Sequence, residues 1–262
     1  MRQKNQLKDL RRQEMPKGEI LARQAQKQLR LRYQRKGKDP FHADYLKANC
    51  DQIFDELLSL EFELYKQKER DVNTKLLWLV LQDAVPATKR YSRKEIEAII
   101  KGKFDDLRDF YKSIMQSRSS RAGGSVQNHI AYILTTLGYP FEAQQTLNGK
   151  PDFILPCKKL YQTNPAECVL VTAKRTLRER WRQIITEGFK SPQYFLVTID
   201  EKQSKNGLQE MAGHRIYLVV PERLKTKIPS YKAAGNVISI KAFLKGYLDP
   251  AMSRWHQAKI IP

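Results

Sequence analysis

The sequence predicts an α/β protein: a central mixed β-sheet flanked by helices, with a helical N-terminal region ahead of it. Three observations carry that expectation. From Ser125 onward the apolar pattern runs helix, strand, strand, helix, strand, helix, strand. Before Ser125 the apolar residues recur only at helical spacing. At 262 residues the chain is long enough for a full core, as one large domain or a core with an appendage. The spacing divides the chain into a basic arm at 1–38, a helical region at 39–116 and a core at 117–262.

The arm carries thirteen Lys or Arg against three acids, half of the net charge of +20. Its apolar residues (Leu7, Leu10, Ile20, Leu21, Leu29, Leu31) are sparse, and Pro16-Lys17-Gly18 interrupts them. It reads either as one or two exposed helices ordered on a polyanion or as a solvated tail, and composition does not decide between them. From Ala43 to Lys66 an amphipathic pattern sets in, with Ile53, Phe54, Leu57, Leu58, Leu60, Phe62 and Leu64 on its core face. Lys75 to Leu81 is a short apolar segment. Ser92-Arg93-Lys94-Glu95 is a capping box that opens a helix through Ile100, and another helix runs from Phe104 to Met115. None of these residues carries recognisable chemistry, and a helical flank packed on the core accounts for them.

Ser117-Arg118-Ser119-Ser120-Arg121-Ala122-Gly123-Gly124 reads as a polar, basic turn. Hydroxyls, guanidinia and a glycine backbone suit phosphate contacts, so Arg118 and Arg121 are candidates for a nucleic-acid backbone; a flexible loop is the plain alternative. A helix from Ser125 to Leu137 follows, closed by Gly138 at the C′ position. His129 on it reads as a packed histidine. After Phe141, with a strand at Gln144-Gln145, come two runs that hold the chemistry. Gln193–Ile199, His214–Val220 and Asn236–Ile240 read as further strands, and Lys241–Leu248 as a closing helix.

Asp152 opens the apolar run Phe153-Ile154-Leu155. Lys174 closes Val169-Leu170-Val171-Thr172-Ala173-Lys174, which is rich in β-branched residues. Side chains alternate along a strand, so Thr172 and Lys174 share one face and Val171 and Ala173 the other. An acid at the start of one strand beside a lysine at the end of its neighbour suits a metal-dependent nuclease. The carboxylate holds Mg²⁺, and the lysine lies near the scissile phosphate and attacking water. Such sites usually place a second acid two residues before the lysine, where this chain has Thr172. Glu187, thirteen residues beyond Lys174, is the replacement candidate. Leu177, Trp181, Ile184 and Ile185 form one helical stripe, and Glu187 falls roughly 20° from Arg180 on its flank.

The run Lys174-Arg175-Thr176-Leu177-Arg178-Glu179-Arg180-Trp181-Arg182-Gln183 resembles the signature of the EcoRII/SsoII/PspGI/NgoMIV group of CCGG-reading type II restriction endonucleases. That group belongs to the PD-(D/E)XK nucleases, as a variant whose second acid has moved to the following helix. Its pattern is Pro-Asp, then Lys, then an acid about a dozen residues on, with Arg-(Asp/Glu)-Arg between. This chain matches it at Pro151-Asp152, Lys174, Arg178-Glu179-Arg180 and Glu187, and the resemblance covers about 120–220. It implies a restriction-endonuclease-like core and catalysis by Asp152, Lys174 and Glu187. Metal would be held by Asp152, Glu187 and the carbonyl of Ala173. Members tend to carry a glutamate early in the preceding helix, near where Gln127 stands here.

Base reading can also be argued from the residues. Arg forks onto guanine O6 and N7, and Glu accepts from cytosine N4 in the major groove. Arg178, Glu179 and Arg180 fall in the first turns of a helix, the end that recognition helices present to bases; a salt-bridged exposed face is the plain alternative. The expectation is therefore Mg²⁺-dependent cleavage of duplex DNA at a palindrome with CC/GG half-sites, CCNGG or CCWGG. A palindrome implies a homodimer, and the resemblance implies a cognate DNA methyltransferase in the same system. A structure-selective resolvase or repair nuclease, or a DNA-binding protein with a decayed site, are the rivals; Thr172 and Gln127 motivate the second. The charge fits a polyanion. No apolar run reaches membrane-spanning length and the N-terminus is too polar for a signal peptide. Three cysteines without metal-ligand spacing point to reduced thiols and a cytoplasmic setting, with no membrane partner.

Overall fold

In the computed structural model the chain is described except at residues 1, 86–89, 144–150, 178–180, 183 and 185–190; the side chains of 2–6, 8 and 119–123 also lie outside the described set. Six strands form one sheet in sequential order: β1 (Glu142–Ala143), β2 (Phe153–Leu155), β3 (Val169–Lys174), β4 (Tyr194–Thr198), β5 (Ile216–Val220) and β6 (Val237–Ser239). β1, β2 and β3 are antiparallel neighbours, and β3 through β6 are parallel, so the sheet is mixed as expected. The strand expected at Gln144-Gln145 lies outside the described residues.

Sequential order among parallel strands has a consequence. Crossovers between parallel strands are right-handed as a rule, which in sequential order carries all of them over one face of the sheet. The residues that cover this face confirm it. Leu177 and Trp181 from the first crossover, Leu208 and Met211 from the second and Leu224 and Tyr231 from the third are buried with Ile154, Leu170, Leu196 and Leu218. The opposite face needs another cover, and the N-terminal half supplies it. Helices α1 (Arg2–Glu14), α2 (Gly18–Gln34), α3 (Ala43–Leu81), α4 (Arg93–Gly102) and α5 (Phe104–Thr136) precede the sheet. Ala25, Leu29, Ile53, Phe54, Leu57, Ile130 and Ile133 from α2, α3 and α5 join Phe153, Val171, Ala173, Phe195 and Val197 in one buried cluster. The C-terminal segment, with Phe243, Leu248 and Trp255, completes it.

Three expectations are corrected here. Residues 18–34 are not an exposed or solvated arm: Leu21, Ala22, Ala25, Leu29 and Tyr33 are buried, because α2 lies against both α3 and α5. The apolar segment at 75–81 is the last part of α3, which runs for 39 residues. Most sharply, the turn expected at 117–124 is helix, and α5 continues through it for 33 residues. Two glycines in a helix interior cost about 1 kcal/mol each against alanine. Neighbouring contacts hold the stretch at both ends: Arg118 grips Glu69 of α3 through Nε at 2.7 Å and Nη2 at 2.5 Å, and Ser125 donates to Glu61 of α3 at 2.7 Å. Tertiary contacts thus override a local preference for a turn. The capping box stands as expected, with Ser92 Oγ accepting from Glu95 N–H and Glu95 accepting from Ser92 N–H. Cys50 and Cys168 are buried, and burial pushes both thiols up to about 12.

Candidate active site

The site is built where the antiparallel part of the sheet ends. Val171 pairs with Phe153, so two steps along β3 the residue opposite Ala173 is Pro151. Proline has no N–H and cannot continue a ladder. The Ala173 N–H is taken instead by the Asp152 carboxylate, Oδ2 accepting at 2.8 Å. In an extended strand the N–H and C=O of one residue point to the same edge. The Ala173 carbonyl therefore faces the Asp152 side of β3, and Pro151 has no donor to offer it. One dipeptide thus sets a carboxylate and withholds a ladder donor from the backbone oxygen beside it.

Lys174, the last residue of β3, reaches the same carboxylate. Its Nζ lies 2.8 Å from Oδ2 and 3.1 Å from Oδ1 of Asp152. Asp152 is buried, and the Lys174 side chain is about one-third exposed, 32%. Asp152 and Lys174 are brought together as the sequence predicts, with Ala173 between them. Thr172, in the place of the usual second acid, is buried, and its hydroxyl shares a 2.7 Å hydrogen bond with the Tyr194 hydroxyl. A carboxylate in that slot would be desolvated against the core, which is a physical reason for an acid elsewhere. Glu187, like Arg178, Glu179 and Arg180, lies outside the described residues, as does the side chain of Arg121. On the stripe that should carry them, Leu177 and Trp181 are buried and Ile184 half-buried, as the periodicity predicts.

Among the described residues no three of His, Cys, Asp and Glu converge as metal ligands. The Asp152 carboxylate and the Ala173 carbonyl on the same edge of β3 are hard oxygen donors of the kind Mg²⁺ or Ca²⁺ takes together with several waters. They fit such an ion and do not fit zinc.

Two clusters near the site have no counterpart in the sequence reading. On the opposite face of the sheet, Glu61 accepts from Ser125 Oγ, and His129 Nε2 lies 2.6 Å away, off the hydrogen-bond axis. His129 is packed, as expected, but against an acid 68 positions away in sequence, which no local signal announces. Glu61, Ser125 and Arg175 line a cavity of about 560 Å³. At the C-terminal end of β4, Asp200 accepts from Leu177 N–H at 2.8 Å. An acid closing an apolar strand was the one available sign of it. Arg118, a phosphate candidate, is engaged with Glu69, although its side chain remains half-exposed.

The chain superposes on metal-depleted Ecl18kI in complex with uncleaved DNA, with a TM-score of 0.82 at 20% identity over 96% of this chain and 84% of that one. The restriction endonuclease PspGI, in its substrate DNA complex, gives 0.64 at 18% identity, over 91% and 94%. Fold and site geometry together define a protein of the restriction-endonuclease-like class. The chain belongs to the family described as EcoRII C terminal, which it matches over residues 86–244. Among curated relatives, the type II restriction enzyme EcoRII of Escherichia coli is 32% identical over 149 residues, 55% of this chain and 37% of that protein. The type II restriction enzyme SsoII of Shigella sonnei is 22% identical over 226 residues, 81% and 73%. The chain therefore spans little more than a third of EcoRII's length. Among the described residues no helix is long and apolar enough to cross a membrane.

Proposed function

We propose that the chain is a Mg²⁺-dependent type II restriction endonuclease. It hydrolyses phosphodiesters of duplex DNA at a palindrome with CC/GG half-sites, of the CCNGG or CCWGG type. The observation that carries this reading is the junction of Pro151-Asp152 with Ala173-Lys174, in a chain whose relatives are type II restriction enzymes. Asp152, the Ala173 carbonyl and Glu187 would hold the metal, which would supply Lewis-acid polarisation of the phosphate and a more acidic attacking water. Lys174 leaves Asp152 for the phosphate, orients the attacking water and offsets charge on the oxygens of the transition state. Arg178, Glu179 and Arg180 read the base edges. Arg121 and the edge of Arg118 that Glu69 does not take contact the backbone. A homodimer places one site on each strand, and a cognate DNA methyltransferase protects the host sites.

The test is digestion of a sequenced plasmid with purified protein and Mg²⁺, with end mapping. Ends at one short palindrome, lost on chelation, are the expected result; scattered or junction-centred ends favour a shape-reading nuclease. No Mg²⁺-dependent cleavage at all, with duplex binding intact, favours the decayed site that Thr172 brings to mind.

A further inference from the structure

Asp200 is buried, 7% exposed, where β4 ends. Its Oδ1 accepts from Lys202 N–H at 3.0 Å, a local turn that needs no further explanation. Its Oδ2 does something else. It accepts from the Leu177 N–H, 23 residues back, at 2.8 Å, and from Gln203 Nε2 at 3.3 Å. The backbone around it is fixed as well: Asp200 N–H donates to Thr198 Oγ1 at 3.1 Å, and the Tyr231 hydroxyl donates to the Asp200 carbonyl at 2.6 Å. Thr198 Oγ1 in turn donates to the Arg175 carbonyl at 3.2 Å. Residues 175 and 177 are thus both held by the end of the neighbouring strand. Lys174 stands just before this clamped link and Arg178 just after it.

We propose that Asp200 is a positioning residue that sets the direction in which the segment after Lys174 leaves the sheet, and with it the aim of Arg178, Glu179 and Arg180. The inference rests on the base-reading role given to those three residues above. A carboxylate on a backbone amide is a charge-assisted bond, stronger than a neutral one. A buried carboxylate that loses none of its donors also resists rotation of the link, because moving Leu177 would leave both groups unsatisfied. Base readout depends on such rigidity, since a forked arginine reads guanine only in one orientation.

Three variants test it: Asp200→Ala, Asp200→Asn, which keeps one carbonyl oxygen for Leu177, and Met211→Ala, a core truncation under the same face as a control for lost stability. Two readouts are taken below the unfolding temperature of all three. The first is amide hydrogen exchange of peptides covering 175–187 and the strands. The second is competition binding in Ca²⁺, the duplex carrying the mapped cleavage site against one with a substituted G·C pair. Asp200→Ala should speed exchange selectively in 175–187 and lower the discrimination ratio about tenfold or more, the scale of one lost base-reading pair. Binding to the substituted duplex should change little, Asp200→Asn should recover part of both effects, and Met211→Ala should show neither. Exchange unchanged in 175–187, or raised equally in the strands, overturns the proposal, and so does a full discrimination ratio in Asp200→Ala. If wild-type protein itself does not discriminate while Asp200→Ala still loosens 175–187, the base-reading role has failed, and the proposal falls with it for that separate reason.

Discussion

Pro151 does as much for the site as the residues that touch the reaction. By lacking an N–H it ends the β2–β3 ladder at the one place where the Ala173 carbonyl would otherwise accept from β2. Pro151→Ala restores a donor opposite the Ala173 carbonyl. It should leave the unfolding temperature equal or slightly raised while lowering Mg²⁺-dependent cleavage by about 10–100-fold, the range for groups that orient metal ligands; single-turnover rates across a Mg²⁺ titration measure this. Asp152→Asn, Lys174→Ala and Glu187→Ala should each abolish cleavage with little change in stability. Lys174 is partly solvated and Asp152 keeps the Ala173 N–H, so the pair itself adds little to folding. Near-normal plasmid nicking by Glu187→Ala would remove that residue from the site. The motif Pro-Asp and Lys was legible because strand alternation is local; Thr172 marked the missing acid, but its bond to Tyr194 needed the fold.

Helices α3 and α5 show how contacts between elements reshape what their sequences prefer. Glu69 is the tie: burial alone would raise its carboxyl, but the bonds from Arg118 and Tyr65 outweigh this and hold it below its ordinary value of 4.5. A depressed carboxyl pKa stabilises the fold above the unfolded-state value, and the contribution fades as pH falls through the folded-state one. Glu69→Gln should therefore lower the unfolding temperature at neutral pH and flatten its fall below about pH 4.5, the two proteins converging in strong acid; thermal melts across that range show it. Helix α2 raises the stakes for the basic arm. Deleting 1–36 would strip Leu21, Leu29 and Tyr33 from the core, at 1.5–3 kcal/mol for each large side chain, on the order of 5 kcal/mol or more. Against a typical total of about 5–15 kcal/mol, such a variant should be largely unfolded by circular dichroism, and its DNA binding would not report on phosphate contacts.

At the scale of the whole molecule the charge of +20 sets how a polyanion is met. If the partner is duplex DNA, each neutralised phosphate adds about 0.9 to the slope of log affinity against log salt. Binding to a substituted duplex should therefore fall at least about a thousandfold between roughly 50 and 200 mM salt. A shallow slope in filter-binding titrations would argue that the charge serves another end. The amino-acid sequence by itself determined the mixed sheet with its flanking helices, the pairing of Asp152 with Lys174 and the buried Leu177–Trp181 stripe. Each follows from strand alternation or helical period, which are properties of a few neighbouring residues. Only the tertiary structure decided that the N-terminal helices are the second layer of the core, since the crossovers cover one face of the sheet and leave the other bare. It alone decided that α5 runs unbroken through Gly123-Gly124 and that Asp200 reaches Leu177. Those outcomes rest on groups far apart in the chain, whose contact energies exceed the local preferences that a sequence pattern records.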